Sequence, residues 1–417
     1  MLKVFHTADW HLGQSFCGFD RDYEHAQFLG WLLDQLQSQL PDALLLAGDV
    51  FDSINPSALA QKRFYSFLAQ AHALLPQLQI VITAGNHDAA ARLEAPSGLL
   101  ESLEISVVGT VQRNADGAID VQRFLIPLMD NSGDVKAIAL AVPFLRPSDV
   151  PLVPDAPDPY LDGIRELYRR ITEAAFTMRA EQCPNAALIA MGHCHLSGGS
   201  ESPESERRLI VGGAEAVGID VFDSQIAYVA LGHLHRTQTF DEGRVRYSGS
   251  PIPLSFAETG YRHQLLQLSF DNKTLSAVEE VPIPRSTTLL KVPSTDALPI
   301  DELLLQLEAL DLDSSLPPDQ QPFLEVRILE TGPDPTRRTR IEQALQKQPV
   351  RLASIKVERQ ARESTDSQSD EPLDADSLKD IRPLDIFMDA WREKYSDDPD
   401  AAIVEAFREI LLQESHS

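Results

Sequence analysis

Five short apolar runs, each broken at its C-terminal end by a polar cluster, constrain this chain more than any other feature. The runs are Leu2 to Phe5, Ala43 to Ala47, Ile80 to Ala84, Ala187 to Met191 and Val229 to Leu231. The clusters that follow are Asp9-Trp10-His11, Gly48-Asp49-Val50-Phe51-Asp52, Gly85-Asn86-His87-Asp88, Gly192-His193 and Gly232-His233-Leu234-His235. A short apolar run bounded by glycine or polar residues reads as a buried strand. Side chains at the carboxyl ends of neighbouring strands share one rim of a sheet, where α/β folds place their ligands. The pattern therefore predicts that five segments far apart in sequence converge on one site.

Residue type decides what that site holds. Carboxylate, imidazole and amide oxygen together suit borderline divalent metals such as manganese, iron or zinc, whereas thiolate-rich sets favour structural zinc. Such groups are too many here for a single ion. Two ions roughly 3.5–4 Å apart, sharing a carboxylate, would use them all and would clamp the attacking and leaving oxygens of an in-line phosphoryl displacement. The residues point to a dinuclear phosphoesterase. Any one cluster alone is ordinary turn chemistry, because Asp, Asn and Gly commonly follow strands. The ordered set carries the inference.

The order Asp-x-His, Gly-Asp-x-x-Asp, Gly-Asn-His-Asp, Gly-His, Gly-His-x-His resembles the calcineurin-like metallophosphoesterase superfamily. Longer stretches are similar to the bacterial SbcD family, the nuclease subunits of SbcCD complexes. These are His6 to Gln14, Ala47 to Asp52, Pro143-Phe144-Leu145-Arg146-Pro147 and Tyr247 to Phe256. The likeness runs through most of residues 1–285. It implies that Asp9, His11 and His235 bind one ion, that Asn86, His193 and His233 bind a second, and that Asp49 bridges them. It makes His87 the catalytic histidine, an imidazole that donates a proton or a charged hydrogen bond to the scissile phosphate or leaving oxygen. Asp52 and Asp88 read as partners that orient these groups, and His6, His25 and His195 as structural. The same resemblance implies two divalent ions, with Mn2+ the favoured metal, and ATP-independent exonuclease and endonuclease activity on DNA ends and hairpins. It further implies a role in DNA repair and recombination, and a homodimer within a heterotetramer that includes an SbcC-type coiled-coil ATPase. A phosphatase or cyclic-nucleotide phosphodiesterase with the same metal core is the alternative. A small-substrate enzyme would not need the additional domain and tail described below.

Charge runs against a simple DNA-binding protein. The chain has 63 acidic and 36 basic residues, a formal net charge of −27, and phosphate backbones are repelled by such a surface. Bound metal ions invert that logic locally, and a partner subunit can supply basic surface. No apolar stretch reaches the roughly 20 residues of a membrane helix, and no signal sequence opens the chain, so a cytoplasmic protein without membrane contact is expected. Cys17, Cys183 and Cys194 are too scattered for a disulfide framework or zinc knuckle. Cys194, between His193 and His195, reads as a packed residue outside the site.

Helical stripes at Glu24 to Leu40 and Ser57 to Leu75 alternate with the first three strands, which sets a layered α/β domain with parallel strands. Further helix is expected near Pro96 to Leu103 and over Tyr160 to Arg179, with hairpin turns at Asn114 to Gly117 and Asn131 to Asp134. Strands near Val245 and Leu265 should finish the sheet. The polar stretch Ser200 to Glu206 borders the site as either a lid or a plain solvated loop. The expected organisation is a metallophosphoesterase domain over 1–284, a small α+β capping domain over 285–360, a disordered linker over 361–382 and a C-terminal helical segment over 383–415. Leu384, Phe387, Met388, Trp391 and Tyr395 share one helical face, as do Ile403, Phe407, Ile410 and Leu411. Those faces either fold back on the second domain or dock on the ATPase.

Overall fold

The Leu2–Thr7, Ala43–Ala47 and Gln79–Thr83 strands lie side by side in parallel, and Ile105–Val108 extends the set. On the far side of Leu2–Thr7 two antiparallel strands, Gln264–Asp271 and Thr274–Pro282, complete six. A second six-stranded sheet has Val135–Ala141, Ala187–His193, Tyr228–Gly232 and Val245–Tyr247 in parallel at its centre. Antiparallel Leu125–Met129 and Gln238–Phe240 form its two edges. The computed structural model describes residues 1–202, 204–205, 216–330, 332, 334–359, 391 and 399.

Strict alternation is missing from the central strands because both faces of each are covered. Val4, Leu45 and Val81 pack toward Ala139, Ile189 and Val229 of the second sheet. Their neighbours Phe5, Leu44, Leu46, Ile80 and Ile82 pack against Phe28, Leu32, Phe64 and Phe67 of two helices, Asp22–Gln39 and Ala58–Leu74. The second helix starts where Ser57 accepts a hydrogen bond from the Ala60 N–H at 3.1 Å, satisfying a donor that a helix end leaves unpaired. A long helix, Pro159–Gln182, begins in the same way on Asp158 and covers the second sheet through Ile164, Leu167, Tyr168 and Ile171.

A single sheet was the expectation for these strands, and among the described residues they divide between two six-stranded sheets. The first three polar clusters leave one sheet and the last two leave the other, so the site sits across the end of a sandwich. Apolar runs buried on both faces carry no mark of which neighbour they pair with. Around Asn131 to Asp134 the expected hairpin joins the Leu125–Met129 and Val135–Ala141 strands. Asn114 to Gly117 closes only an isolated bridge between Arg113 and Ile119. The helix expected near Pro96 is one turn, Ser97–Leu100, followed by a 3-10 turn at Glu101–Leu103.

Farther along, Leu289–Val292, Phe323–Glu330 and Arg351–Arg359 form a three-stranded parallel sheet. Two helices, Ile300–Glu308 and Arg337–Leu345, cover it through Leu303, Leu307 and Ile341 packed on Val292, Val326 and Ile328. Phe323 is fully buried against Phe16 and Phe256, with a ring separation of 4.8 Å from Phe16, and the Arg351 guanidinium stacks 3.6 Å above its ring. This packing places the small sheet within the same compact unit, Met1–Arg359. The linker and helical tail expected over 361–415 lie outside the described residues apart from Trp391 and Pro399, as do Pro203 and residues 206–215. Among the described residues no helix is long and apolar enough to cross a membrane.

Candidate metal centre

Backbone conformation at the strand ends is unusual in a consistent way. Asp9, His11, Asp49 and His233 all have positive φ, at 54°, 44°, 49° and 102°. Non-glycine residues held there cost on the order of 1–3 kcal/mol each and persist where surrounding packing over-determines them. Glycine supplies the remaining space. Gly48, at φ 86°, turns the chain ahead of Asp49, and a Cβ there would overlap the His193 ring. A Cβ on Gly85 would overlap the Asp49 carboxylate.

These turns bring together all the side chains singled out from sequence. The ligand atoms of Asp9, His11 and His235 lie within 4.8 Å of one another, as do those of Asp9, Asp49 and His193. Asp49 Oδ2 stands 3.6 Å from His11 Nε2 and 3.3 Å from His193 Nε2. Asn86 Oδ1 is 3.0 Å from His193 Nε2 and 3.0 Å from His233 Nδ1. Asp49 thus lies between two groups, one built on Asp9, His11 and His235 and one on Asn86, His193 and His233.

Surrounding hydrogen bonds orient the rings. His193 Nδ1 donates to Ala47 O at 2.9 Å, and His11 Nδ1 pairs with Asp52 Oδ1 at 3.2 Å, so each presents Nε2 to Asp49. The Asp88 carboxylate accepts from the N–H groups of Gly85, Val50 and Phe51 at 2.8, 3.1 and 3.0 Å, tying the second and third loops together. His87 stands at the edge of this array and half-buried. Its N–H donates to Asp49 Oδ1 at 2.8 Å, its Nδ1 donates to Asp52 O at 2.8 Å, and its ring stacks edge-on against His11.

Burial dominates the electrostatics. It pushes the Asp9 carboxyl up to about 7, although His193 and His235 pull the other way. Burial alone would also raise Asp49, but the charge and hydrogen bond of His193 hold it well below the usual carboxylate range. His193 responds in kind: burial opposes its charge, yet Asp49 carries it up to about 9. Asp9 Oδ2 and His11 Nε2 are buried with no hydrogen-bond partner among the described residues. Buried oxygen and nitrogen donors short of positive charge fit divalent cations. Cys194 is in none of these donor groups among the described residues, and burial pushes its thiol up to about 12.

Among the residues read as structural, His6 pairs with Tyr228 Oη at 2.9 Å and Leu231 O at 3.2 Å between the two sheets. His25 is buried in the first helix. His195 lies 3.3 Å from Gly199 O. Sequence reasoning missed Glu258, which is fully buried and 3.1 Å from His235 Nδ1. It also missed the small sheet's contribution to a cleft of about 710 Å³ that opens over the cluster. Glu325, Ser354 and Lys356 line that cleft together with His87, Glu204 and Ser205. Only the nearness of Ser200 to Glu206 in sequence gave any signal for the last two.

Residues 2–237 match the family model of calcineurin-like phosphoesterases, and residues 288–395 match one described as the type 5 capsule protein repressor C-terminal domain. The SbcD subunit of the SbcCD nuclease of Rhodobacter capsulatus is 41% identical over 365 residues, covering 86% of this chain and 88% of the relative. Its namesake in Escherichia coli K12 is 32% identical, covering 68% of both chains. That of Bacillus subtilis is 37% identical, covering 62% of this chain and 64% of the relative. The family model and the relatives agree, and the chain belongs to the SbcD family of nuclease subunits within the calcineurin-like phosphoesterases.

Proposed function

We propose that this chain is the metal-dependent nuclease subunit of an SbcCD-type complex, hydrolysing DNA phosphodiesters at ends and hairpins with two manganese ions. The observation that carries the reading is the convergence of carboxylate, imidazole and amide donors around one buried carboxylate, Asp49. Asp9, His11 and His235 would hold one ion and Asn86, His193 and His233 the other, with the Asp49 carboxylate between the two groups. When bound, such ions offset the charge that develops on a phosphate during in-line displacement. His87, with Nδ1 engaged by Asp52 O, has Nε2 available to donate a proton toward the leaving oxygen. Asp52 and Asp88 keep the loops and rings in register.

Residues 1–284 are the catalytic part in this reading and residues 285–360 cap it, which the cleft-lining positions of Glu325, Ser354 and Lys356 support. Residues 361–382 serve as a tether and 383–415 as the docking segment for the SbcC-type ATPase. A homodimer within a heterotetramer, in the cytoplasm, completes the proposal. The ATPase also supplies the basic surface that a chain of net charge −27 lacks.

The test is cleavage of linear duplex and hairpin DNA with manganese, run beside a chromogenic phosphodiester and a phosphomonoester, with metal content measured by elemental analysis. DNA cleavage with two bound ions per chain is expected. Turnover of the small esters alone would overturn the nuclease reading, and one ion per chain would overturn the dinuclear one.

A further inference from the structure

The cleft over the metal cluster is lined by four carboxylates, Asp49, Asp52, Glu204 and Glu325, and among the described lining residues by one lysine or arginine, Lys356. Away from the metal cluster and its histidines, that ammonium group is the one positive charge a strand of DNA would meet among the described lining residues. The lysine comes from the small sheet, on Arg351–Arg359, and faces the cleft with Ser354 as the two-residue period of a strand requires.

Two carboxylates share it unequally. Glu325, on the neighbouring Phe323–Glu330 strand, is 2% exposed and lies 2.9 Å from Lys356 Nζ. Such a buried charge keeps its counterion, because separating the two leaves it unpaired in a poorly solvated place. Glu204 also pairs with Lys356 Nζ, but its side chain is 46% exposed. An exposed pair is weak and readily exchanged. The sheet beneath is fixed by Phe323 packed on Phe16 and Phe256, both of which line the cleft. The ammonium therefore has a permanent partner on one side and a replaceable one on the other.

We propose that Lys356 binds a backbone phosphate of the DNA strand in the cleft, and that Glu204 holds its place until that phosphate displaces it. Exchange of carboxylate for phosphate needs no movement of the sheet and leaves the Glu325 pair intact. Ser205, next in the chain, donates to Glu258 Oε1, so the residue beside Glu204 is anchored next to His235. This inference rests on the nuclease reading and assigns its first phosphate contact in the small domain.

The experiment uses the full chain as wild type, Lys356→Ala, Lys356→Arg and Glu204→Gln, with folding checked by thermal melting. Binding of a fluorescent DNA hairpin is followed by anisotropy in chelator across a salt series, and KM for the same hairpin is measured with manganese. Lys356→Ala should weaken binding and raise KM roughly ten-fold, as loss of a charge-assisted contact does. Its slope of log affinity against log salt should fall by about one. Lys356→Arg should stay near wild type, and Glu204→Gln should tighten binding about two- to five-fold by removing a competitor worth as much as an exposed ion pair. Wild-type affinity and salt slope in Lys356→Ala would overturn the proposal. So would weaker binding in both Lys356→Ala and Glu204→Gln, the signature of a structural brace. Failure of the nuclease reading itself shows separately, as a wild type that turns over a chromogenic phosphodiester and leaves the hairpin intact.

Discussion

Glu258 accepts a hydrogen bond from His235 Nδ1 at 3.1 Å, and its second oxygen accepts from the Leu254 N–H at 2.7 Å. The carboxylate is fully buried, which by itself would raise its pKa, yet the His235 contact holds it below the usual range. It is therefore an acceptor that fixes the ring plane of a proposed metal ligand. Loss of such a partner costs about ten- to a hundred-fold in metal affinity. Glu258→Ala is expected to weaken manganese binding by that factor, and Glu258→Gln, which keeps an acceptor oxygen, by less. Calorimetric titration with manganese checks both, and equal affinities across the three proteins would remove Glu258 from this role.

Asp49 and His87 should fail differently. Asp49 stands within 3.6 Å of both His11 and His193, so Asp49→Ala is expected to lose metal and activity together. His87→Ala should retain both ions and lose about 10²–10⁴ in kcat, the usual contribution of a positioned proton donor. Elemental analysis beside the cleavage rate separates the two. Full activity in His87→Ala would place the donor elsewhere.

Trp10 connects stability to the site. Its fully buried ring meets Phe28, Phe64 and Phe67 edge-on, and its indole N–H donates to Thr7 Oγ1 at 3.0 Å. Trp10→Ala should cost about 3–5 kcal/mol in urea unfolding. It should also weaken metal binding, because the flanking Asp9 and His11 hold positive φ only while that packing constrains them. Trp10→Phe is expected to lose less on both counts. Unchanged metal affinity in a destabilised Trp10→Ala would uncouple the core from the centre.

Acid should unfold the protein through its buried histidines. Burial pushes His6 and His25 down to about 3 and His263 to about 4. In the unfolded chain each titrates near an ordinary value of about 6.5. Between those values the unfolded state binds protons that the folded state refuses, so stability is present above about 6.5 and is lost as pH falls toward about 3–4. Urea midpoints should drop between about pH 7 and pH 5, and drop less in His25→Leu, whose wild-type Nε2 is buried with no partner among the described residues. The same dependence in both proteins would assign the effect to other groups.

Sequence alone determined the elements and the chemistry of this protein. The run Ala43–Ala47 is a strand with the limits read from its apolar pattern, and the helical stripe read over Ser57 to Leu75 is a helix over Ala58–Leu74. That the clusters holding Asp9, His11, Asp49, Asn86, His193, His233 and His235 converge was legible because each follows a strand, while the choice of these seven as ligands came from the resemblance. Only tertiary structure decided that two sheets, not one, deliver them, since a strand buried on both faces bears no sign of its partner. It alone placed Glu258 against His235 and brought Lys356 and Glu325 from a separate sheet to the mouth of the cleft. An isolated glutamate or lysine looks the same in sequence on a solvated surface or beside a metal centre. Its burial and partners arise from packing between segments far apart in the chain, which local pattern does not encode.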